Sequence, residues 1–333
     1  MRKIIISVIC LTALLSFCEG AYAANVGDVI GNIYTTDIIA YIDDMPIKSY
    51  NIGGRTVIQL ENLRDYGFDV EWNPDERVLS VVTKDRPASV PQVEITKQTP
   101  GSVAGNVYDT DIRVFINGVD CSFIDTYNIG GITCMAIEDL GIIDDLSNGS
   151  PMYSRFAMHY TYNNDERVIK LYTLRAGDEF ETQYGTAVVK NITSNYVKSP
   201  YELYDEEYTA GQGITMFEAL FPEQDAAWGY YVSIDSISND AIISAQMDNG
   251  IYSITSSDAK EIDYISTISS NGAIHNDSCI LSLALPVNIN GEYINDGEAN
   301  CMIWLCDYEP EYNVLYMSTD FLNQYTGYKF NIH

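Results

Sequence analysis

Catalysis and metal binding need particular side chains close together, so the scarce reactive types are the most informative. The 333-residue chain has three histidines, His159, His275 and His333. They fall in three separate regions without paired spacing, whereas a copper centre needs several imidazoles on one ion. Neither Cys-x-x-Cys nor His-Glu-x-x-His occurs, so no zinc set is visible. A Gly-x-Ser-x-Gly elbow and a phosphate loop are absent too. Cys279 follows His275 by four residues, a separation that does not by itself make a nucleophile–base pair. No catalytic residue, copper or zinc is expected.

Carboxylates and phenols are what the chain has in excess. It carries 47 Asp+Glu against 18 Lys+Arg, a formal net charge of -29. That balance excludes nucleic acid and anionic membrane surfaces as partners, because both need clustered Lys/Arg. Neutral glycans, cationic proteins and calcium-bridged contacts remain open, and calcium is the one cofactor left open. Two carboxylates can hydrolyse a glycoside, but this many acids single out no pair. The run Asp144-Asp145-Leu146-Ser147-Asn148-Gly149 hints at a calcium loop, yet it lacks the alternating ligand spacing and closing Glu. It reads as a solvated loop. Among the 26 tyrosines, Tyr34 and Tyr50 recur as Tyr108 and Tyr127, with Asp37 recurring as Asp111. These six are the candidate binding residues. Tyrosine stacks on sugars or peptides while offering a hydroxyl; the competing reading is that the rings pack strand faces. Asn51 and Asn128, each before Gly-Gly, read as turn formers.

The recurrence belongs to an internal repeat. The first copy runs from Gly31 to Leu63 and the second from Gly105 to Leu140, with GNIYTTD answered by GNVYDTD and YNIGG occurring in both. Closing segments WNPDERVLSV, from Trp72, and YNNDERVIKL, from Tyr162, complete them. In each copy an alternating run predicts a strand. Asp43-Asp44 or Asn117-Gly118 predicts a hairpin, and so does Gly53-Gly54. Glu61–Tyr66 predicts a short helix stopped by Gly67. The expected unit is an α+β arrangement, a small twisted antiparallel sheet packed on one helix. Residues 85–104, with Pro87, Pro91 and Pro100, predict an extended linker between repeat 1 (24–84) and repeat 2 (105–174). From 175 to 333 short apolar runs alternate with Asn-Gly turns, which predicts a mainly-β sandwich or barrel. Thr215–Leu220 reads as one or two helical turns.

Specific residues give the repeat a family resemblance. Ile52-Gly53-Gly54-Arg55-Thr56-Val57, Glu61-Asn62-Leu63, Gly67-Phe68-Asp69-Val70-Glu71-Trp72 and Asp75-Glu76-Arg77-Val78-Leu79 resemble the copper amine oxidase N-terminal-like domain of exported bacterial surface proteins. In the second copy Gly130-Gly131, Glu138-Asp139-Leu140 and Asp165-Glu166-Arg167-Val168 match, while Ile132 replaces Arg55 and Tyr162 replaces Trp72. The resemblance implies a non-catalytic module, often repeated, on cell-surface proteins and wall-active enzymes. It does not imply copper. Residues 175–333 resemble immunoglobulin-like domains of exported proteins through Gly177-Asp178-Glu179-Phe180.

The first 23 residues name a compartment. Arg2 and Lys3 precede the apolar run Ile4 to Phe17, and Ala21-Tyr22-Ala23 offers a small-residue cleavage site. This predicts a signal peptide cleaved before Ala24 and an extracellular or cell-surface product with no membrane span. Five cysteines follow it: Cys121, Cys134, Cys279, Cys301 and Cys306. They read as small buried hydrophobes, with a Cys121–Cys134 bond allowed but not demanded. The resulting reading is a secreted, non-catalytic protein that binds or spaces wall polymer or protein partners. The alternatives are an exported hydrolase acting on envelope glycan through a carboxylate pair in 175–333, and an accessory or inhibitor protein of an exported enzyme.

Overall fold

The computed structural model describes residues 25–143, 152–193, 197–198, 216–219, 229–234, 243–248, 251–256, 261–264, 279–305, 315–327 and 329–332. It is 53% strand and 9% helix, so the fold is mostly β. The first copy supplies β1 (Val29–Tyr34), β2 (Ile39–Ile42), β3 (Met45–Ile47), β4 (Ser49–Ile52), β5 (Arg55–Gln59), a 3-10 helix (Leu60–Tyr66), β6 (Phe68–Asn73) and β7 (Val78–Thr83). The second supplies β8 (Val103–Tyr108), β9 (Arg113–Ile116), β10 (Val119–Asp120), β11 (Tyr127–Ile129), β12 (Ile132–Ala136), a helical turn (Ile137–Leu140), β13 (Ile142–Ile143), β14 (Met158–Asn163) and β15 (Val168–Thr173).

Local chemistry accounts for these boundaries. Strands β2 and β3 join through Asp43 and Asp44, and β9 and β10 through Asn117 and Gly118. All four residues take positive φ, the two-residue turn that matches strand twist. The 3-10 helix buries Leu60, Leu63 and Tyr66 at its three-residue period. Gly67 stops it at φ 81°, its N–H donating to the Leu63 carbonyl.

Neither copy closes on itself. Strands β1, β4, β5, β12, β11 and β8 form one closed barrel, joined across the copies at β1–β8 and β5–β12. In β1–β8 Asn32 sits opposite Asn106, its repeat counterpart; in β5–β12 Ile58 sits opposite Met135, again its counterpart. A two-fold relation therefore passes through both pairs. The flanking sheets mix copies as well: β10-β9-β7-β6, with β7 parallel to β9, and β13-β14-β15-β2-β3, with β15 parallel to β2. This corrects the expectation of two self-contained α+β units. Each copy's hairpins carry apolar faces that the other copy's strands cover, so the repeats share one core. The connection 85–102 contains no strand or helix and runs along this body: Thr35 donates its hydroxyl to Thr99 O at 2.7 Å, and Lys97 Nζ donates to Glu166 O at 2.9 Å.

The remainder supplies β16 (Glu179–Thr182), β17 (Gly185–Thr193), β18 (Val197–Lys198), β19 (Met216–Ala219), β20 (Gly229–Ser233), β21 (Ile243–Asp248), β22 (Ile251–Ser256) and β23 (Glu261–Tyr264). Then come β24 (Cys279–Ala284), β25 (Val287–Ile289), β26 (Glu292–Ile294), β27 (Cys301–Leu305), β28 (Leu315–Ser318), a helix (Thr319–Thr326) and β29 (Lys329–Ile332). Its main sheet runs β16-β17-β24-β27-β28-β20-β19-β18. From β17 to β19 this is the cyclic order β1-β8-β11-β12-β5-β4 of the barrel, opened between the counterparts of β1 and β4. The side sheet β21-β22-β25-β26, with β22 parallel to β25, repeats the pattern of β6-β7-β9-β10. The mainly-β expectation holds, and the parallel pairs β22–β25 and β23–β29 depart from the antiparallel sheets of the immunoglobulin-like domains that Gly177-Asp178-Glu179-Phe180 resembles. Met216–Ala219 is strand, not the helical turn read over Thr215–Leu220: it pairs with Gly229–Val232.

Arg175 joins the two halves. Its guanidinium is 1% exposed, and every N–H has an acceptor. Nη1 donates to Gly67 O and Lys84 O, Nη2 to Tyr66 O and Asp43 Oδ2, and Nε to Asp43 Oδ2 and Thr173 Oγ1. It thus adds donors where the 3-10 helix ends, to the Tyr66 carbonyl and to the Gly67 carbonyl that also accepts Lys84 N at 2.9 Å, while lying 5.1 Å from the Phe68 ring centroid.

Candidate functional site

The six sequence-predicted residues divide into three kinds. Asp37 and Asp111 sit on loops after β1 and β8, where each meets an arginine of the other copy. Arg167 Nη2 reaches Asp37 Oδ1 at 3.0 Å, with Nε donating to both carboxylate oxygens at 3.2 Å. Arg77 Nε donates to Asp111 at 2.8 Å, and its Nη2 also contacts that carboxylate. Both arginines take positive φ at the end of the β6–β7 and β14–β15 turns. In those turns Asn73 and Asn163 accept backbone N–H groups from the two residues before the arginine. The arginine hydrogen bonds hold both aspartates below the ordinary carboxylate range. These two residues connect the copies, with 31% of the Asp37 and 45% of the Asp111 side chain exposed.

Tyr50 and Tyr127 pack partly buried against the barrel interior, beside Ile33, Ile52, Val57, Val107, Ile129, Cys134 and Ala136. Burial raises the Tyr127 phenol. Asn51 and Asn128 alternate with these tyrosines and accept from Gly54 N at 3.3 Å and Gly131 N at 2.9 Å. They are turn formers, as the sequence indicates.

Tyr34 and Tyr108 are the pair that remains on the outside. Ile33 and Val107 fill the barrel, so the alternation of β1 and β8 turns Asn32, Tyr34, Asn106 and Tyr108 outward. Tyr34 pairs across to Asn51, and Tyr108 across to Asn128. Asn32 and Asn106 are exposed at the two-fold centre between them. Sequence reasoning passed over these two asparagines, although the Gly-Asn dipeptides opening both copies are a visible signal.

The acids of the Glu-x-Leu segments, also passed over, are structural. Glu138 accepts Thr56 N at 3.0 Å and Glu61 accepts Thr133 N at 3.2 Å, each reaching into the other copy. Burial raises the Glu61 carboxyl. Arg55 pairs with Asp139 at 2.5 Å, a contact that the second copy lacks because Ile132 and Asn62 stand at those places.

Among the described residues the cysteines and His159 are buried. Cys121, Cys134, Cys279 and Cys301 are free and buried, so the Cys121–Cys134 bond is not formed. Burial pushes the Cys134 thiol up to about 12 and raises the other three further. His159 lies between the rings of Tyr153 and Tyr172. Among the described residues no three His, Cys, Asp or Glu side chains gather as metal ligands, and no helix is long and apolar enough to cross a membrane. The leader, His275, Cys306, His333 and the Asp144–Gly149 run lie outside the described residues. Comparison with protein-family models, curated proteins and solved structures finds no match.

Proposed function

We propose that the chain is a secreted, non-catalytic, envelope-associated protein whose paired copies, copper amine oxidase N-terminal-like by resemblance, bind or space wall polymer or surface protein. One observation carries this reading. Four of the acids repeated between the copies hold the copies together, Asp37 with Arg167, Asp111 with Arg77, and Glu61 and Glu138 on backbone N–H groups, while the repeated Asp75, Glu76, Asp165 and Glu166 lie exposed on turns. What is repeated and outward on β1 and β8 is Asn, Tyr and Val, which favour contact over reaction. The connectivity shared by the two halves supports reading 175–333 as a further pair of the same unit rather than a hydrolase domain.

The test is to incubate the mature chain with isolated bacterial walls and follow both pelleting and release of soluble glycan. Saturable pelleting without release is expected. Release that continues with time would overturn the non-catalytic reading in favour of the hydrolase.

A further inference from the structure

We propose that the outer face of β4-β1-β8-β11 is a two-fold binding stripe for a neutral, hydroxyl- and amide-bearing glycan strand. This rests on the envelope-binding reading and gives it a surface and a ligand class. The stripe runs Asn51, Tyr34, Asn32, Asn106, Tyr108, Asn128, and every step across strands is a direct register pair: Asn51 with Tyr34, Asn32 with Asn106, Tyr108 with Asn128. Directly paired residues stand about 5 Å apart on one face. The tyrosines lie on opposite sides of the two-fold centre, roughly 14 Å from each other by strand geometry. Two rings at that separation with amides between them suit an extended oligosaccharide.

The chemistry of the stripe selects the ligand. In a chain of net charge -29, these six side chains carry no charge. Asn51 and Asn128 have their side-chain oxygens occupied by turn N–H groups, which leaves their amide N–H donors to face outward. Asn32 and Asn106 are exposed and offer donor and acceptor together. Val29 lies across from Tyr108 and Val103 across from Tyr34, 56% and 61% exposed, so each ring has an apolar neighbour for a sugar's C–H face. A phosphate or carboxylate polymer would find no cation here, and a basic peptide would find no anion in the stripe. The counterpart strand of β8 in the other half, β24, is buried along its whole length, so the duplicated fold does not require this face to be open.

The experiment uses the mature full-length chain, a soluble N-acetylglucosamine oligosaccharide as probe, and calorimetric titration, with wall pelleting in parallel. Asn32→Ala/Asn106→Ala and Tyr34→Ala/Tyr108→Ala are compared with the parent, and thermal melting checks each fold. The expected result is saturable oligosaccharide binding by the parent and a loss of roughly tenfold or more in Asn32→Ala/Asn106→Ala at unchanged melting temperature. Unchanged affinity in both folded double variants would overturn the stripe. A parent that pellets with walls yet ignores the oligosaccharide would overturn the glycan assignment while leaving the envelope reading standing. A parent that does neither would overturn both.

Discussion

The Asp43 carboxylate, from the first copy, stands 2.8 Å from the Arg175 guanidinium at the entrance to the C-terminal half, and the two side chains are only 7% and 1% exposed. Asp43 also accepts the backbone N–H of Thr173 at 2.9 Å. Asn117 makes the same contact to Thr83 at 2.9 Å, and Asn290 to Ser256 at 2.9 Å. Each of the three residues takes a positive φ at a two-residue turn and donates its own N–H to the partner strand, at Leu171, Val81 and Ile254. One lock therefore closes three parallel strand pairs, and only at Asp43 does it carry a charge.

That charge makes Asp43 the costliest of the three to remove. Asp43→Ala leaves the Arg175 cation buried without its counter-ion and should destabilise by about 3–5 kcal/mol. Asn117→Ala loses neutral hydrogen bonds and should cost about 1–3 kcal/mol. Urea unfolding of the two variants checks the order; equal losses would mean that Arg175 does not depend on Asp43.

Gly67 should be irreplaceable in a way that Gly54 is not. Both take positive φ, but a side chain at Gly67 would run into the Asp85 carbonyl and Arg175 Nη1, whereas Gly54 faces open space. Gly54→Ala should cost about 1 kcal/mol from backbone conformation alone. Gly67→Ala should cost clearly more, read as a larger fall in melting temperature.

Acid should loosen the joint between the copies. The Asp37 and Asp111 carboxyls are held below their ordinary value by Arg167 and Arg77. Their contribution is therefore present above the unfolded-state value of about 3.9 and is lost as pH falls through the lowered folded-state values. Asp37→Asn/Asp111→Asn should melt lower than the parent at neutral pH, with the difference shrinking below about pH 4. A difference that grows toward acid would contradict the assignment.

The thiols should be silent until the chain unfolds. Cys121, Cys134, Cys279 and Cys301 are buried and protonated at neutral pH. Brief treatment with a thiol reagent followed by mass spectrometry should leave all four unlabelled in the folded protein and labelled in denaturant. Rapid labelling of Cys134 in the native chain would mean that the barrel interior is open.

What the sequence showed clearly was what neighbouring residues decide. Asp43-Asp44, Asn117-Gly118 and Gly53-Gly54 turn where their backbone preferences direct, and Gly67 stops the helix before it. The pairing of Ile39–Ile42 with Val168–Leu171 was not legible, because it is parallel and joins segments over 100 residues apart. Asp37 and Asp111 hide their partners for the same reason. They look like free surface acids until the fold brings Arg167 and Arg77 beside them. Met216–Ala219 read as helix because its pattern is short; its partner strand β20 decides for strand. In the outward stripe, Tyr34 and Tyr108 were visible as a repeated pair, whereas the central place of Asn32 and Asn106 needed the β1–β8 register.

The exchange of strands between the copies is tested most directly by cutting the connection between them. A protease site placed at the exposed Gln92 would sever the chain between β7 and β8 without touching a strand. If the copies are one body, the cut protein should elute from size exclusion as a single particle of unchanged size and come apart only in denaturant. Two species separating under native conditions would show that the repeats stand alone, and would contradict the shared barrel.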